Sequence, residues 1–236
     1  MSKKLYLFPL SDIHLGSAQC DTDFLEYWRK EFDKASDNKC IYLLGDLLEF
    51  PRASLDAYSV CMSTHDAVER IIEFLEPYKE YIRWVVSGNH EIRTMREHNF
   101  DISKGIANRL DARYSRNDFF DKIVQDDREF VIYGKHGTKT SKNQNLAMNN
   151  FIRDMADIDA NLYMQGHNHY CSFDSNYRRG YDSGDRRYYA FTGHFLGYDG
   201  YARDKGLPLS QPSFLRLAVD KNLHIDCRKY FKDEVM

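Results

Sequence analysis

The chain has 236 residues, 42% of them hydrophobic and 29% charged, with a net charge of −3; this describes a soluble globular protein long enough for one large α/β domain. No global basic field advertises nucleic acid, so any such contact needs a local patch. Five cysteines without a CxxC pair argue against a disulfide framework, and no apolar run approaches membrane-spanning length or forms a signal peptide, so a cytoplasmic protein without membrane insertion is expected.

Residues 5–10 form a short apolar run ending in Ser11-Asp12, a buried strand feeding a polar loop, although Pro9 cannot donate to a ladder. Phe24, Tyr27, Trp28 and Phe32 have helical spacing over residues 24–35. Residues 41–44 read as a second strand with Gly45-Asp46 at its end. Residues from about 54 to 78 read as one long helix or two, with Val68, Ile71, Ile72 and Leu75 on one face. Residues 82–86 make a third strand, leading into Gly88-Asn89-His90-Glu91. The stretch 93–127 is charged and poor in strand signal, and is expected to be an inserted helical cap over the site, helical at 102–110. Residues 130–133 and 162–165 are strands leading into His136-Gly137 and Gly166-His167-Asn168-His169, with a helix at 145–155 between them. Strands at 188–192, 214–219 and 223–227 follow, the last two joined by a turn at 220–222. No repeat or linker interrupts the chain, so residues 1–236 read as a single domain.

Five polar segments thus each begin just past a strand, where loops converge in an open α/β sheet. Asp12 and His14 lie two apart and can share one ion. Asp46 has two carboxylate oxygens and can bridge two ions. Asn89 offers a carbonyl oxygen, His136 and His167 offer imidazoles, and His169 shares the side of His167. Mixed oxygen and nitrogen donors suit Mn, Fe, Zn, Ni or Co better than Mg or Ca.

The order Asp12-Ile13-His14, Gly45-Asp46-Leu47-Leu48-Glu49, Gly88-Asn89-His90-Glu91, His136-Gly137, Gly166-His167-Asn168-His169 resembles the calcineurin-like metallophosphoesterase superfamily, with its DxH, GDxx(D/E), GNH(D/E), isolated His and GHxH pattern. The resemblance implies a four-layer α/β/β/α sandwich of two mixed sheets, with a dinuclear metal site at the strand carboxyl ends. One ion would take Asp12, His14, Asp46 and His169, and the other Asp46, Asn89, His136 and His167. Two divalent ions, Mn²⁺ before Fe, Zn, Ni or Co, would carry a bridging hydroxide as nucleophile. His90 would be the catalytic proton donor, oriented by Asp12, Glu49 or Glu91. Glu49 and Glu91 could equally serve as supports for the ligands or as cap and surface residues.

Asn89, Arg93 and His194 are candidate substrate contacts, and so are Arg178 and Arg179, which lie in an arginine- and tyrosine-rich stretch expected to form a hairpin beside the metals. Lys139 and Lys142 add positive charge after His136. His65, His98 and His224 are assigned surface or packing roles. The expected activity is hydrolysis of phosphodiesters, in nucleic acid or nucleotides. The alternatives are a lipid-sugar pyrophosphate hydrolase of the UDP-diacylglucosamine type, a phosphomonoesterase or protein phosphatase, and a non-catalytic adaptor with the same fold. Repair nucleases of this superfamily carry an extra C-terminal region, which the short stretch after His169 does not provide, so a small stand-alone enzyme is expected.

Overall fold

The computed structural model describes residues 4–50, 60–125, 127–139, 141–177, 186–197 and 210–235. Its elements run β1 (Leu5–Leu10), α1 (Thr22–Lys34), β2 (Lys39–Leu44), α2 (Thr64–Leu75), a 3-10 helix (Glu76–Tyr81), β3 (Ile82–Val86), α3 (Asn89–His98), α4 (Ile102–Arg109), β4 (Arg113–Ser115), β5 (Asp118–Gln125), β6 (Arg128–Lys135), α5 (Gln144–Asp154), β7 (Leu162–Gln165), β8 (Cys171–Tyr177), β9 (Arg186–His194), β10 (Ser213–Val219), β11 (Ile225–Phe231) and α6 (Lys232–Val235).

The strands form two mixed sheets. The first runs β4-β3-β2-β1-β10-β11, with β1 to β4 mutually parallel and β10 antiparallel to both its neighbours. The second runs β5-β6-β7-β9-β8, parallel across β6, β7 and β9 and antiparallel at its two outer strands. They join at one corner, where Gly193 and His194 of β9 pair with Phe214 and Ser213 of β10.

Three cores separate four layers. Phe8, Leu10, Ile41, Leu43 and Val85 pack under Trp28, Phe32, Ile71, Leu75 and Ile106 of the helices α1, α2 and α4. On the opposite face of the same strands, Leu7, Tyr42, Leu44 and Val86 meet Phe119, Phe130, Ile132, Leu162 and Met164 of the second sheet. The outer face of that sheet, with Tyr133, Tyr163, Tyr189 and Phe191, is covered by Met148, Phe151 and Met155. This explains why β2 reads as an unbroken apolar run: alternate residues face different cores and both faces are buried. Each fully buried large side chain of this kind contributes about 1.5–3 kcal/mol. Helix α1 starts where the Asp21 side chain accepts the Phe24 N–H at 3.0 Å, and stops where Ala35 turns extended.

Several sequence expectations change. The stretch 93–127 is framework, not a cap. Ile102, Ile106, Ala107 and Leu110 of α4 and its end enter the first core, β4 pairs with β3, and β5 pairs with β6 along its whole length. Its charged appearance has a local cause, since α4 buries one stripe only and β5 alternates. Phe119, Asp121 and Ile123 are buried while Phe120 and Val124 are exposed, and Asp121 is accommodated by hydrogen bonds from Tyr42 and Arg83. Of the one or two helices expected at about 54–78, the described part is α2 followed by the 3-10 helix containing Pro77, and the first residues of that stretch lie outside the described ones. The first part of strand β8, before the expected hairpin, went unread because only Cys171 and Ser172 of it are buried.

Candidate metal centre

The carboxyl ends of β1, β2, β3, β6 and β7 converge on one spot. The loop after β1 is zipped to the loop after β2: the N–H groups of Asp12, His14 and Leu15 donate to the carbonyls of Gly45, Asp46 and Leu47 at 2.9–3.0 Å. The Phe195 N–H donates to the Asp12 carbonyl at 3.0 Å, which ties β9 to the same loop. Asp12, His14, Asp46, His167 and His169 all have positive φ, between 49° and 67°. Such backbone is uncommon outside glycine and costs about 1–3 kcal/mol per residue, so the surrounding hydrogen bonds must hold it. Gly88 has ordinary φ but no room: a Cβ there would sit 2.1 Å from the Asp46 N atom and its Oδ1.

Three donor groups each lie within 4.8 Å of one another: Asp12, His14 and His169; Asp46, His136 and His167; and His14, Asp46 and His90. His136 donates from Nδ1 to the Leu44 carbonyl at 2.7 Å, which turns Nε2 to face Asp46 Oδ2 and Asn89 Oδ1, both at 3.1 Å. His14 has Nδ1 on Glu49 Oε2 at 2.9 Å, and its buried Nε2 has no hydrogen-bond partner among the described residues. Asp12 accepts from Ser11 Oγ and from the His167 N–H, while Nε2 of His169 lies 3.3 Å away. Ser11 is itself braced by Thr192 Oγ1 at 2.6 Å. The carboxylate of Glu91 accepts the N–H groups of Asp46, Leu48 and Gly88 at 2.8–3.1 Å, and so fastens the β2 loop to the start of α3.

This arrangement fits two divalent transition cations. Its donors are oxygen and imidazole nitrogen, the second ring nitrogens of His14 and His136 are fixed by oxygen acceptors, and the buried His14 Nε2 has no hydrogen-bond partner among the described residues. Both ions as assigned by the motif order would draw ligands from both sheets.

The electrostatics agree. Burial pushes Asp12 and Asp46 up, but the histidines around them (His169 and His136 for Asp12, His136 foremost for Asp46) outweigh it and hold both below the usual carboxylate range. Burial likewise opposes charge on His136, yet Asp46 overcomes it and raises that ring to about 10. His167, desolvated and next to His136, is lowered to about 4. In the metal-free protein one proton therefore sits on the Nε2 that a cation would take. Glu49 is partly buried, which opposes its charge, yet His14 and His90 lower it to about 2.

His90 lies on the open side of the cluster. Its Nδ1 is 2.9 Å from Glu49 Oε1, and its N–H donates to Asp46 Oδ1 at 2.8 Å. Among Asp12, Glu49 and Glu91, it is Glu49 whose carboxylate meets the ring. Burial lowers the His90 pKa, but the Glu49 hydrogen bond and the Asp46 charge prevail and raise it. Arg93 reaches back from α3, with one nitrogen 3.3 Å from His90 Nε2 and the other on the Phe50 carbonyl at 2.7 Å. His194 is buried and stacks on His169 at 4.9 Å between centroids, with Nδ1 accepting the Leu196 N–H and Nε2 without a partner among the described residues. Burial and His169 hold it well below the usual histidine range, hence neutral.

Arg178 and Arg179 lie outside the described residues. The strands leading to them do pair as a hairpin, but Tyr177 and Arg186 are at the opposite end of β8 and β9 from Cys171 and His194, so the described part of the hairpin runs away from the ligands. Arg187 there is buried, on Asp159 and over the Tyr163 ring. Sequence reading missed Ser11, Thr192 and the Leu44 carbonyl as supports. Only the adjacency of Ser11 to Asp12 could have hinted at one of them.

The sequence model of the calcineurin-like phosphoesterase family matches residues 10–215. No curated protein sequence matches the chain. Among solved structures, vacuolar protein sorting 29 from Cryptosporidium parvum aligns at 14% identity and a TM-score of 0.48, covering 98% of this chain and 100% of its own. A predicted phosphoesterase from Streptococcus pneumoniae aligns at 14% identity and 0.46, with the same coverage. Vacuolar protein sorting 29 from Entamoeba histolytica, complexed with zinc, aligns at 13% and 0.43, covering 96% of this chain and 99% of its own.

Proposed function

The chain belongs to the calcineurin-like phosphoesterase family, and from that premise we propose that it is a two-metal phosphohydrolase cleaving phosphodiesters of nucleotides or nucleic acid. The observation that carries the reading is the single carboxylate of Glu49 held 2.9 Å from both His14 and His90, because it couples a metal ligand to a proton donor. Asp12, His14, Asp46 and His169 would hold one cation, and Asp46, Asn89, His136 and His167 the other, with Mn²⁺ the first candidate. Two such ions supply Lewis acidity and lower the pKa of water.

The remaining work falls to the chain's own side chains. Glu49 keeps the proton on His90 Nδ1 and favours the imidazolium, whose Nε2–H can be given to the departing oxygen. Arg93, anchored on the Phe50 carbonyl, supplies a guanidinium beside that nitrogen for a phosphate oxygen. His194, neutral with its Nε2 unpartnered among the described residues, offers a donor on the His169 side. A reducing, cytoplasmic setting belongs to the same proposal and is supported by five free thiols. Among the described residues no helix is long and apolar enough to cross a membrane.

A second reading, hydrolysis of an acylated sugar pyrophosphate, is favoured by one feature. A groove of about 480 Å³ between α2 and α4 is lined by Val68, Ile72, Phe100, Ile102 and Ile106, and could hold an acyl chain. The deciding experiment is a Mn²⁺ substrate panel of bis-p-nitrophenyl phosphate, a phosphomonoester, cyclic nucleotides, single- and double-stranded DNA, RNA and an acylated nucleotide-sugar. Diester hydrolysis abolished by chelator is expected. Preference for the acylated compound would reverse the ranking, and no hydrolysis of any member would sink the enzymatic reading.

A further inference from the structure

A second cavity, of about 260 Å³, adjoins the second-sheet half of the centre and is lined by Lys135, Thr138, Lys139, Asn150, Asp154 and Asn168, among others. Lys135 directly precedes His136, and Asn168 separates His167 from His169, so the cavity lies one residue away from three proposed ligands. The half-buried Lys135 ammonium rests 5.7 Å from the centroid of the Phe151 ring, and among the described residues no carboxylate lies within ion-pair distance of it. Lys139 meets Asp154 at 3.5 Å with four-fifths of its side chain exposed, a pair of little energetic worth that a better anion can displace. The cavity thus holds two ammonium groups against one carboxylate. The Asn168 Oδ1 atom is buried and has no hydrogen-bond partner among the described residues. A buried acceptor without a donor is costly, and a bound hydroxyl would satisfy it once the Asn168 side chain turned into the cavity.

We infer that this cavity is a subsite for a second phosphate of the substrate, with Lys135 and Lys139 as its counter-charges and Asn168 accepting from a hydroxyl of the same ligand. The inference rests on the phosphohydrolase reading and narrows it: the substrate carries another phosphate next to the one attacked. That phosphate can follow across a sugar, as in an oligonucleotide, or be joined directly, as in a pyrophosphate. The apolar groove between α2 and α4 has no part in it.

The test measures binding of thymidine 5′-monophosphate, thymidine 3′,5′-bisphosphate and thymidine 5′-diphosphate to the Mn²⁺-loaded protein by calorimetry. At least one doubly phosphorylated nucleotide should bind about tenfold more tightly than the monophosphate, as one charge-assisted contact allows. Which of the two gains tells the sugar-spaced source from the direct one. In Lys139→Ala and Lys135→Met the advantage should shrink to within about threefold, while Lys139→Arg should keep it. Equal binding of all three nucleotides, or an advantage untouched in both loss-of-charge variants, would overturn the subsite. Turnover of bis-p-nitrophenyl phosphate by the unaltered protein reports separately on the parent reading, since that compound has no second phosphate. If no member of the substrate panel is turned over while the bisphosphate preference persists, the hydrolase reading fails and the cavity stands as a phosphate-binding site alone.

Discussion

Glu49 and His90 face each other across 2.9 Å, Oε1 to Nδ1, while the other oxygen of the same carboxylate holds His14 at the same distance. One acid therefore sets the ring orientation of a proposed ligand and of the proposed proton donor together. Glu91, one residue beyond His90, has the different task of gathering three backbone N–H groups.

His90→Ala should retain fold and two bound ions but lose about 100- to 10,000-fold in turnover, the usual range for a positioned proton donor. Metal content by mass spectrometry and kcat on a generic diester decide it. Near-full turnover at unchanged stoichiometry would refute the role.

Glu49→Gln should act on both neighbours. Metal affinity should drop about 10- to 100-fold through His14, as for other supporting acids. The His90 pKa, raised in the native site by Glu49 and Asp46 over the opposing effect of burial, should fall. A proton donor works below its pKa, so the alkaline limb of the pH–rate profile should move to lower pH. An unmoved limb would remove Glu49 from the proton-transfer account.

Gly88→Ala tests the close packing behind the ligands. The added methyl would overlap Asp46 at 2.1 Å, and because the backbone there is not left-handed the effect is steric alone. A loss of about 1–3 kcal/mol in urea unfolding is expected, together with weakened metal binding. A variant with unchanged stability and metal content would mean that the β2 loop can shift freely.

The metal-free protein should be least comfortable away from neutrality. His136 is raised to about 10 in the fold, against about 6.5 unfolded, so its contribution is complete below about 6.5 and is lost as pH rises towards 10. His167, lowered to about 4, works the other way: its folded form resists the proton, so stability falls as pH drops from about 6.5 towards 4. Chelated protein should show this dome in chemical unfolding. Adding Mn²⁺ at pH 8 should release about one proton per chain from His136, seen as a dependence of binding heat on buffer ionisation enthalpy. No proton release would contradict a protonated His136.

The ligand-bearing loops were legible because each follows a short apolar strand and carries its polar residues at fixed intervals. The sandwich was implied by the family resemblance that those loops carry, and strands buried on both faces agree with it. Other parts depend on partners that one-dimensional reading does not see. Asp121 made β5 look like a solvated segment, yet it is buried between Tyr42 and Arg83. The stripe of Ile102, Ile106 and Leu110 is short and surrounded by charge, so the segment passed for a lid. The hairpin of Tyr177 and Arg186 was read in the right form but at the wrong end, because sequence proximity to His169 says nothing of the direction in which β8 departs. The division of labour between Glu49 and Glu91 was open for a similar reason: both follow a ligand closely, and only α3 folding back under the β2 loop separates them.

Among the described residues, the strands of the two sheets pair at the short corner between β9 and β10, with the Phe195–Asp12 backbone bond beside it, while the proposed ligand sets for both ions take residues from each sheet. Cations held in this way would be rivets across a seam. Stripping them should then open the molecule along that line, with amide exchange and protease nicks quickening at the loop ends of β6 and β7 well before the helices on either flank respond.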